Sequence, residues 1–172
     1  MEQRYTIKRA DELMDATLDA KWAARESIGG EARQLLALIL RSFVDHSGPV
    51  DVRALPGADS EDARRRAVAE LDEHDLILVE SGLVVLAYPF AGRPTGFVTV
   101  LPGGRERHAC CAVDALGIPA MLGVPVTIRA RCHDCGDPLE FEVTPTGMAD
   151  ASGLMVWIGA REDLRAKACT TL

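Results

Sequence analysis

The chain has 172 residues, 48% apolar and 26% charged, and its 26 acidic and 19 basic side chains leave a net charge of −7. That composition is globular, outside the ranges of disordered and membrane-embedded chains, and the negative balance argues against general affinity for nucleic acid or anionic lipid, both of which attract basic surfaces. The length suffices for one substantial core, or for a small domain joined to a larger one.

The polar start Met1-Glu2-Gln3-Arg4-Tyr5 lacks the basic start, apolar stretch and cleavage site of a secretory signal. The apolar run at 35–40 is too short to span a bilayer, and the run at 83–90 is preceded by Glu80. The expectation is a cytoplasmic protein without a transmembrane segment. There, five cysteines are more naturally free thiols or metal ligands than a disulfide framework.

In chain order, residues 1–30 predict a weakly amphipathic, peripheral helix ended by Gly29-Gly30. Residues 31–44 carry apolar side chains around most of a helix circumference, which marks a buried helix, and Ser47-Gly48-Pro49 breaks it. A short element at 50–55 is closed by Pro56-Gly57. Asp59 or Ser60 then caps a helix from 61 to about 74, with Ala63, Ala67, Val68 and Leu71 inward. Residues 76–79 and 83–88 read as two strands around Glu80-Ser81-Gly82. Helix, short helix, helix and hairpin is the order of a winged helix, which raises DNA binding as a reading. Arg64, Arg65 and Arg66 are offset by Glu61, Asp62, Glu70, Asp72, Glu73 and Asp75, however, so the candidate reading helix is net acidic and structural use is favoured.

Residues 91–96 form a loop, and Pro102-Gly103-Gly104 a turn after the strand at 97–101. Beyond it, strands are expected at 124–131, 139–143 and 154–158, the last a continuous apolar run with the look of an interior strand. A short helix follows Cys111 until Gly117 and Pro119 disrupt it, and another helical turn covers 161–168. The fold class is therefore α+β: a peripheral helix (1–30), a winged-helix-like helical module (31–90) and a strand-rich, cysteine-bearing lobe (91–172).

The chemistry concentrates in His108-Ala109-Cys110-Cys111-Ala112-Val113-Asp114, with Cys169 near the end. Thiolates bind soft ions such as mercury, copper(I) or zinc far better than oxygen ligands do, and an adjacent carboxyl can move the proton such chemistry requires. Cys111 and Asp114 are three apart, so they share one face if Cys111 opens a helix. A thiol there is expected to be stabilised as thiolate by unpaired amides and the helix dipole, a nucleophile near neutral pH. A neighbouring thiolate and burial both raise the pKa of the carboxyl, which then holds a proton until a basic partner forms. The bland alternative is a small buried cysteine beside a helix-terminal charge. Cys132-His133-Asp134-Cys135-Gly136 has the spacing of half a zinc knuckle, which needs further ligands from Cys110, Cys111, His108 or Cys169. His46 and His74 fall at helix ends, and His133 and Asp134 in a loop.

The segment Cys111-Ala112-Val113-Asp114-Ala115-Leu116-Gly117-Ile118-Pro119-Ala120-Met121-Leu122-Gly123, with Arg129-Ala130-Arg131-Cys132 and Cys135-Gly136-Asp137-Pro138-Leu139, resembles the organomercurial (alkylmercury) lyases. Ala87-Tyr88-Pro89-Phe90 and Arg93-Pro94-Thr95 are similar to members of that family too. The resemblance implies a winged-helix-like module followed by a mixed-sheet lobe peculiar to these enzymes. It implies that Cys111 attacks mercury, that Asp114 helps deprotonate a thiol and then protonates the departing carbon, that Cys132 is a buried structural cysteine, and that Cys169 is the second catalytic cysteine. Cys111, Cys169 and Asp114 would hold mercury transiently. No organic cofactor is implied. The partners are a small organomercurial substrate, low-molecular-weight thiols and a mercuric reductase, without nucleic acid or membrane. Cys110 and Cys135 are extra thiols relative to the commonest pattern, fit to pack, to accept mercury or to favour binding over turnover. Two rivals follow: a non-catalytic soft-metal binding or sensing protein of the same fold, and a transcription regulator built on the winged helix.

Overall fold

The computed structural model describes residues 6, 8, 9, 12, 16–56, 60–148 and 153–157. Helix α1 (Ala16–Glu26) precedes α2 (Gly30–Asp45). The glycine pair expected to end the first helix instead opens the second. Gly29 is the N-cap of α2, and its N–H donates to the Glu70 carboxylate at 2.6 Å, so an acidic side chain faces the amide end of the helix.

Helix α2 buries the four-residue stripe Ala32, Leu35, Ile39 and Phe43, with Leu36, Leu40 and Val44 packed at its margins. It is thus buried along one face rather than all round. At its C-terminal end the buried Arg107 side chain donates from Nε to Phe43 O at 2.7 Å and from Nη2 to Val44 O at 2.8 Å. A guanidinium there satisfies orphan carbonyls and meets the negative end of the helix dipole.

A 3₁₀ turn at Val52–Ala54 leads to α3 (Glu61–Glu73), capped by Ser60, whose Oγ accepts the Ala63 N–H at 3.1 Å. Ala63, Ala67 and Leu71 are buried as the spacing predicts. Arg64 turns inward to the carbonyls of Val52 and Leu55, and Arg65 pairs with Asp62 on its own helix. Arg64 is thereby engaged within the fold, whereas the Arg65–Asp62 pair stays exposed.

Strands β1 (Ile77–Glu80), β2 (Leu83–Ala87), β3 (Phe90–Ala91), β4 (Val98–Leu101), β5 (Arg105–Ala109), β6 (Val126–Arg131) and β7 (Pro138–Val143) form a sheet in the order β1-β2-β3-β5-β4-β6-β7. The mixed sheet expected from the sequence is antiparallel at every pairing among the described strands. The reason is topological. Helix α4 (Ala112–Leu122) carries the chain from β5 to β6, but β4 lies between them and pairs antiparallel with each. Val50 bridges Val84, which ties the loop after α2 to the sheet.

The core runs continuously from α2 and α3 under the sheet to α4, with Phe43, Ile39, Leu71, Ile77, Phe90, Ile118 and Ile128 among its largest buried side chains. Gly92 lies where a Cβ would come 2.8 Å from Pro49 N and 2.9 Å from its Cα, a close backbone approach that only glycine permits. The strand expected over 154–158 is absent from its described part. Residues 154–157 lie outside the sheet with exposed apolar side chains, Met155 at 65% and Trp157 at 50%. Their apolar run signals a need for cover, which periodicity alone cannot assign to a strand. No helix among the described residues is long and apolar enough to cross a membrane.

Candidate active site

Strand β5 delivers the cysteines. Ala109 is fully buried and its N–H donates to Phe97 O at 3.0 Å, while Thr95 Oγ1 donates to Ala109 O at 2.7 Å and the Thr95 N–H donates to His108 Nδ1 at 3.2 Å. Cys110 follows, its N–H donating to Pro89 O at 3.0 Å and its Sγ to Phe90 O at 3.3 Å. These bonds fix where the strand ends. Cys111 then leaves the sheet in extended conformation as the N-cap of α4.

Helix α4 is longer than the sequence reading predicts. It runs through Gly117 and Pro119 to Leu122 and stops at Gly123, whose left-handed backbone (φ 69°) returns its N–H to Pro119 O at 2.9 Å. Ile118 and Pro119 are buried, so packing outweighs the hydrogen bond that proline removes. Val113, one residue before Asp114, and Met121 present apolar surface to solvent.

The Cys111 thiol donates to Asp114 Oδ2 at 3.0 Å, and the Asp114 N–H donates back to Cys111 Sγ at 3.4 Å. The pair forms a closed capping ring, with sulfur in the place usually taken by a serine oxygen. Burial of both groups sets their protonation. Burial, then the hydrogen bond to Asp114 and its charge, push the Cys111 thiol up to about 12, against the opposing backbone N–H groups of Asp114 and Val113. The expected free thiolate near neutral pH is therefore corrected: desolvation and a facing carboxylate outweigh the helix amides, and the proton stays on sulfur. Burial also raises the Asp114 carboxyl, as expected, and the Cys111 hydrogen bond and the charge of Arg25 oppose that rise.

Arg25 is the contribution the sequence reading missed. It ends α1, donates to His74 O and Asp75 O, pairs with Asp75 Oδ2 at 3.0 Å and lies 5.4 Å from the centre of the Tyr88 ring. Its only local mark is its place as a basic residue in the last turn of a helix. Cys132 is half-buried and Cys135 exposed, in the turn between β6 and β7. Among the described residues no group of three or more His, Cys, Asp or Glu side chains is arranged to hold a metal, so the half knuckle is not completed by Cys110, Cys111 or His108. Cys169 and the helical turn expected at 161–168 lie outside the described residues.

The arrangement is a thiol hydrogen-bonded to a half-buried carboxylate at a helix N-terminus, a unit suited to exchanging one proton while sulfur takes up a soft electrophile. Residues 90–172 match the alkylmercury lyase family. An alkylmercury lyase of Bacillus cereus is 40% identical over 42 residues, 24% of this chain and 19% of that protein. One of Streptomyces lividans is 38% identical over 42 residues, 24% of this chain and 20% of that protein. The chain thus matches about a fifth of the length of these curated relatives. Among solved structures, the mercury-bound form of MerB2 is similar in fold, with a TM-score of 0.61 and 24% identity over 77% of this chain and 65% of that one.

Proposed function

We propose, from the match of residues 90–172 to the alkylmercury lyase family, that the chain is an organomercurial lyase. It cleaves a carbon–mercury bond by protonolysis to a hydrocarbon and Hg(II). The observation that carries the reading is the 3.0 Å hydrogen bond from the Cys111 thiol to Asp114.

The chemistry follows from that bond. As the mercury of the substrate approaches, Cys111 sulfur forms a bond to it and the thiol proton passes to Asp114, whose raised pKa suits it to hold that proton. A thiol kept protonated until an electrophile arrives is protected from adventitious reaction, and the partner base makes its high pKa no obstacle. Cys169, its thiol proton lost to solvent, supplies a second thiolate that displaces the substrate's counter-ligand from mercury. Mercury(II) favours two collinear sulfur ligands, so the second thiolate raises electron density at the metal and weakens its bond to carbon. That bond breaks with its electron pair on carbon, which takes the proton from Asp114 and leaves as R–H. The carboxylate is regenerated and mercuric ion remains on the two thiolates.

Low-molecular-weight thiols or a mercuric reductase then remove the ion. The reaction requires no organic cofactor. We place it in the cytoplasm and in the lobe at 91–172, with 31–90 as a winged-helix-like support and α1 as a peripheral helix whose Arg25 acts on Asp114. The support for this reading is the order α2, 3₁₀ turn, α3 and the β1–β2 hairpin.

Asp114 separates a lyase from a soft-metal binder or sensor, which has no need of a proton donor. The lyase predicts that Asp114→Ala abolishes turnover of an arylmercurial while largely preserving mercury binding. Normal turnover by that variant would remove the role assigned to Asp114.

A further inference from the structure

The turn between β6 and β7 holds a pair of thiols that the proposed reaction does not use. Its strands pair up to Arg131 and Pro138, and the six residues between them are closed by backbone bonds: Cys132 N–H to Asp137 O at 2.8 Å and Gly136 N–H to Cys132 O at 2.9 Å. Gly136 takes a positive φ of 76°, the conformation that lets the chain fold back so tightly. Inside this turn stand the two thiols, three residues apart in sequence, Cys132 half-buried and Cys135 exposed. Arg131 Nη1 donates to Gly136 O at 3.1 Å, and the His133 ring stacks on Trp157 at 4.8 Å between centroids, which braces the turn from two sides.

We infer that Cys132 and Cys135 form a second, two-coordinate thiolate site at the tip of this hairpin, which takes a soft cation and above all mercuric ion. Both sulfurs are presented by one turn, so a bridging ion binds without ordering a long loop, and a dithiol held in place outcompetes free monothiols of the same chemistry. The donor count selects the ion. Zinc requires four ligands, and no third His, Cys, Asp or Glu side chain joins the pair among the described residues. An ion satisfied by two thiolates needs none. Binding releases the thiol protons to solvent and forms two sulfur–metal bonds, with no change of oxidation state. The site stands on the hairpin geometry and is independent of carbon–mercury cleavage.

The test compares the full-length protein with its Cys135→Ser variant, each loaded with mercuric chloride under anaerobic conditions and dialysed against excess glutathione. Cys135 is exposed, so serine there leaves the fold intact. The site predicts that the variant retains a full equivalent less mercury than the wild type, with arylmercurial turnover unchanged. Equal retention would overturn it. A second measurement uses the Cys111→Ala, Cys169→Ala double variant, whose near-ultraviolet thiolate-to-mercury absorption is expected to persist on titration and to vanish when Cys135→Ser is added. Absence of that band in the double variant would also overturn the site. Zinc chloride retained against a chelator by wild type but not by Cys135→Ser would contradict the two-coordinate assignment.

Discussion

Arg25, in the last turn of α1, acts across the fold on Asp114, in the first turn of α4: burial raises the Asp114 carboxyl, and the guanidinium charge opposes that rise. Asp75 and the Tyr88 ring hold Arg25 in place. A helix that sequence marks as peripheral thus adjusts the group to which the proposed reaction assigns both proton transfers.

Replacing Arg25 by Gln removes the opposing charge, so the Asp114 pKa rises further. In the proposed reaction Asp114 has to be ionised in the resting protein to accept the thiol proton. Activity is therefore lost on acidification through its raised pKa, and in Arg25→Gln that loss begins at higher pH. A pH profile of kcat/KM checks this, and an unmoved acid limb would show that Arg25 acts only through packing.

Asp114 is also a stability statement. Its folded pKa lies above the unfolded value, so the folded state binds more protons between the two, and stability falls as pH rises through that window. Asp114→Asn keeps an oxygen for the Cys111 thiol and removes the partly buried charge. The variant is expected to melt higher than wild type at neutral pH, with the difference closing below the unfolded carboxylate range, as read by thermal unfolding across pH.

Cys111 acts at the other end of the scale. Its thiol is raised from 9.0 to about 12 in the folded state, so its contribution is fully present below pH 9 and is lost as pH climbs toward 12. Denaturant titrations in that interval should show a steeper loss for wild type than for Cys111→Ala. Parallel curves would mean that the thiol ionises as freely folded as unfolded.

Gly92 donates its N–H to Val85 O at 2.8 Å and faces Pro49 so closely that a methyl group meets backbone. Neither side yields as a flexible side chain would. Gly92→Ala is expected to destabilise by about 1–3 kcal/mol, seen as a lower urea midpoint at unchanged slope.

What the sequence makes legible is what depends on neighbours in the chain. The Ser60 cap of α3, the hairpin around Ser81 and the alternation of β7 are local patterns, and each is found where the pattern predicts it. The three-residue spacing of Cys111 and Asp114 likewise becomes a hydrogen bond. Effects set by distant packing are not legible. Helix α4 continues through Pro119 because that face is buried, and β4 inserts between β5 and β6 although it precedes both. The protonation of Cys111 reverses the expectation for the same reason: helix amides are visible in sequence, whereas desolvation is a property of the finished fold.

The central claim is that Cys111 takes up mercury and Asp114 returns the proton to carbon. Its most direct test is anaerobic turnover of phenylmercuric acetate with excess thiol, following benzene release from wild type beside Cys111→Ala and Cys169→Ala. Benzene from wild type and from neither variant is the predicted result. Mercury retained by wild type without benzene would contradict the account and leave a soft-metal binding protein on this fold.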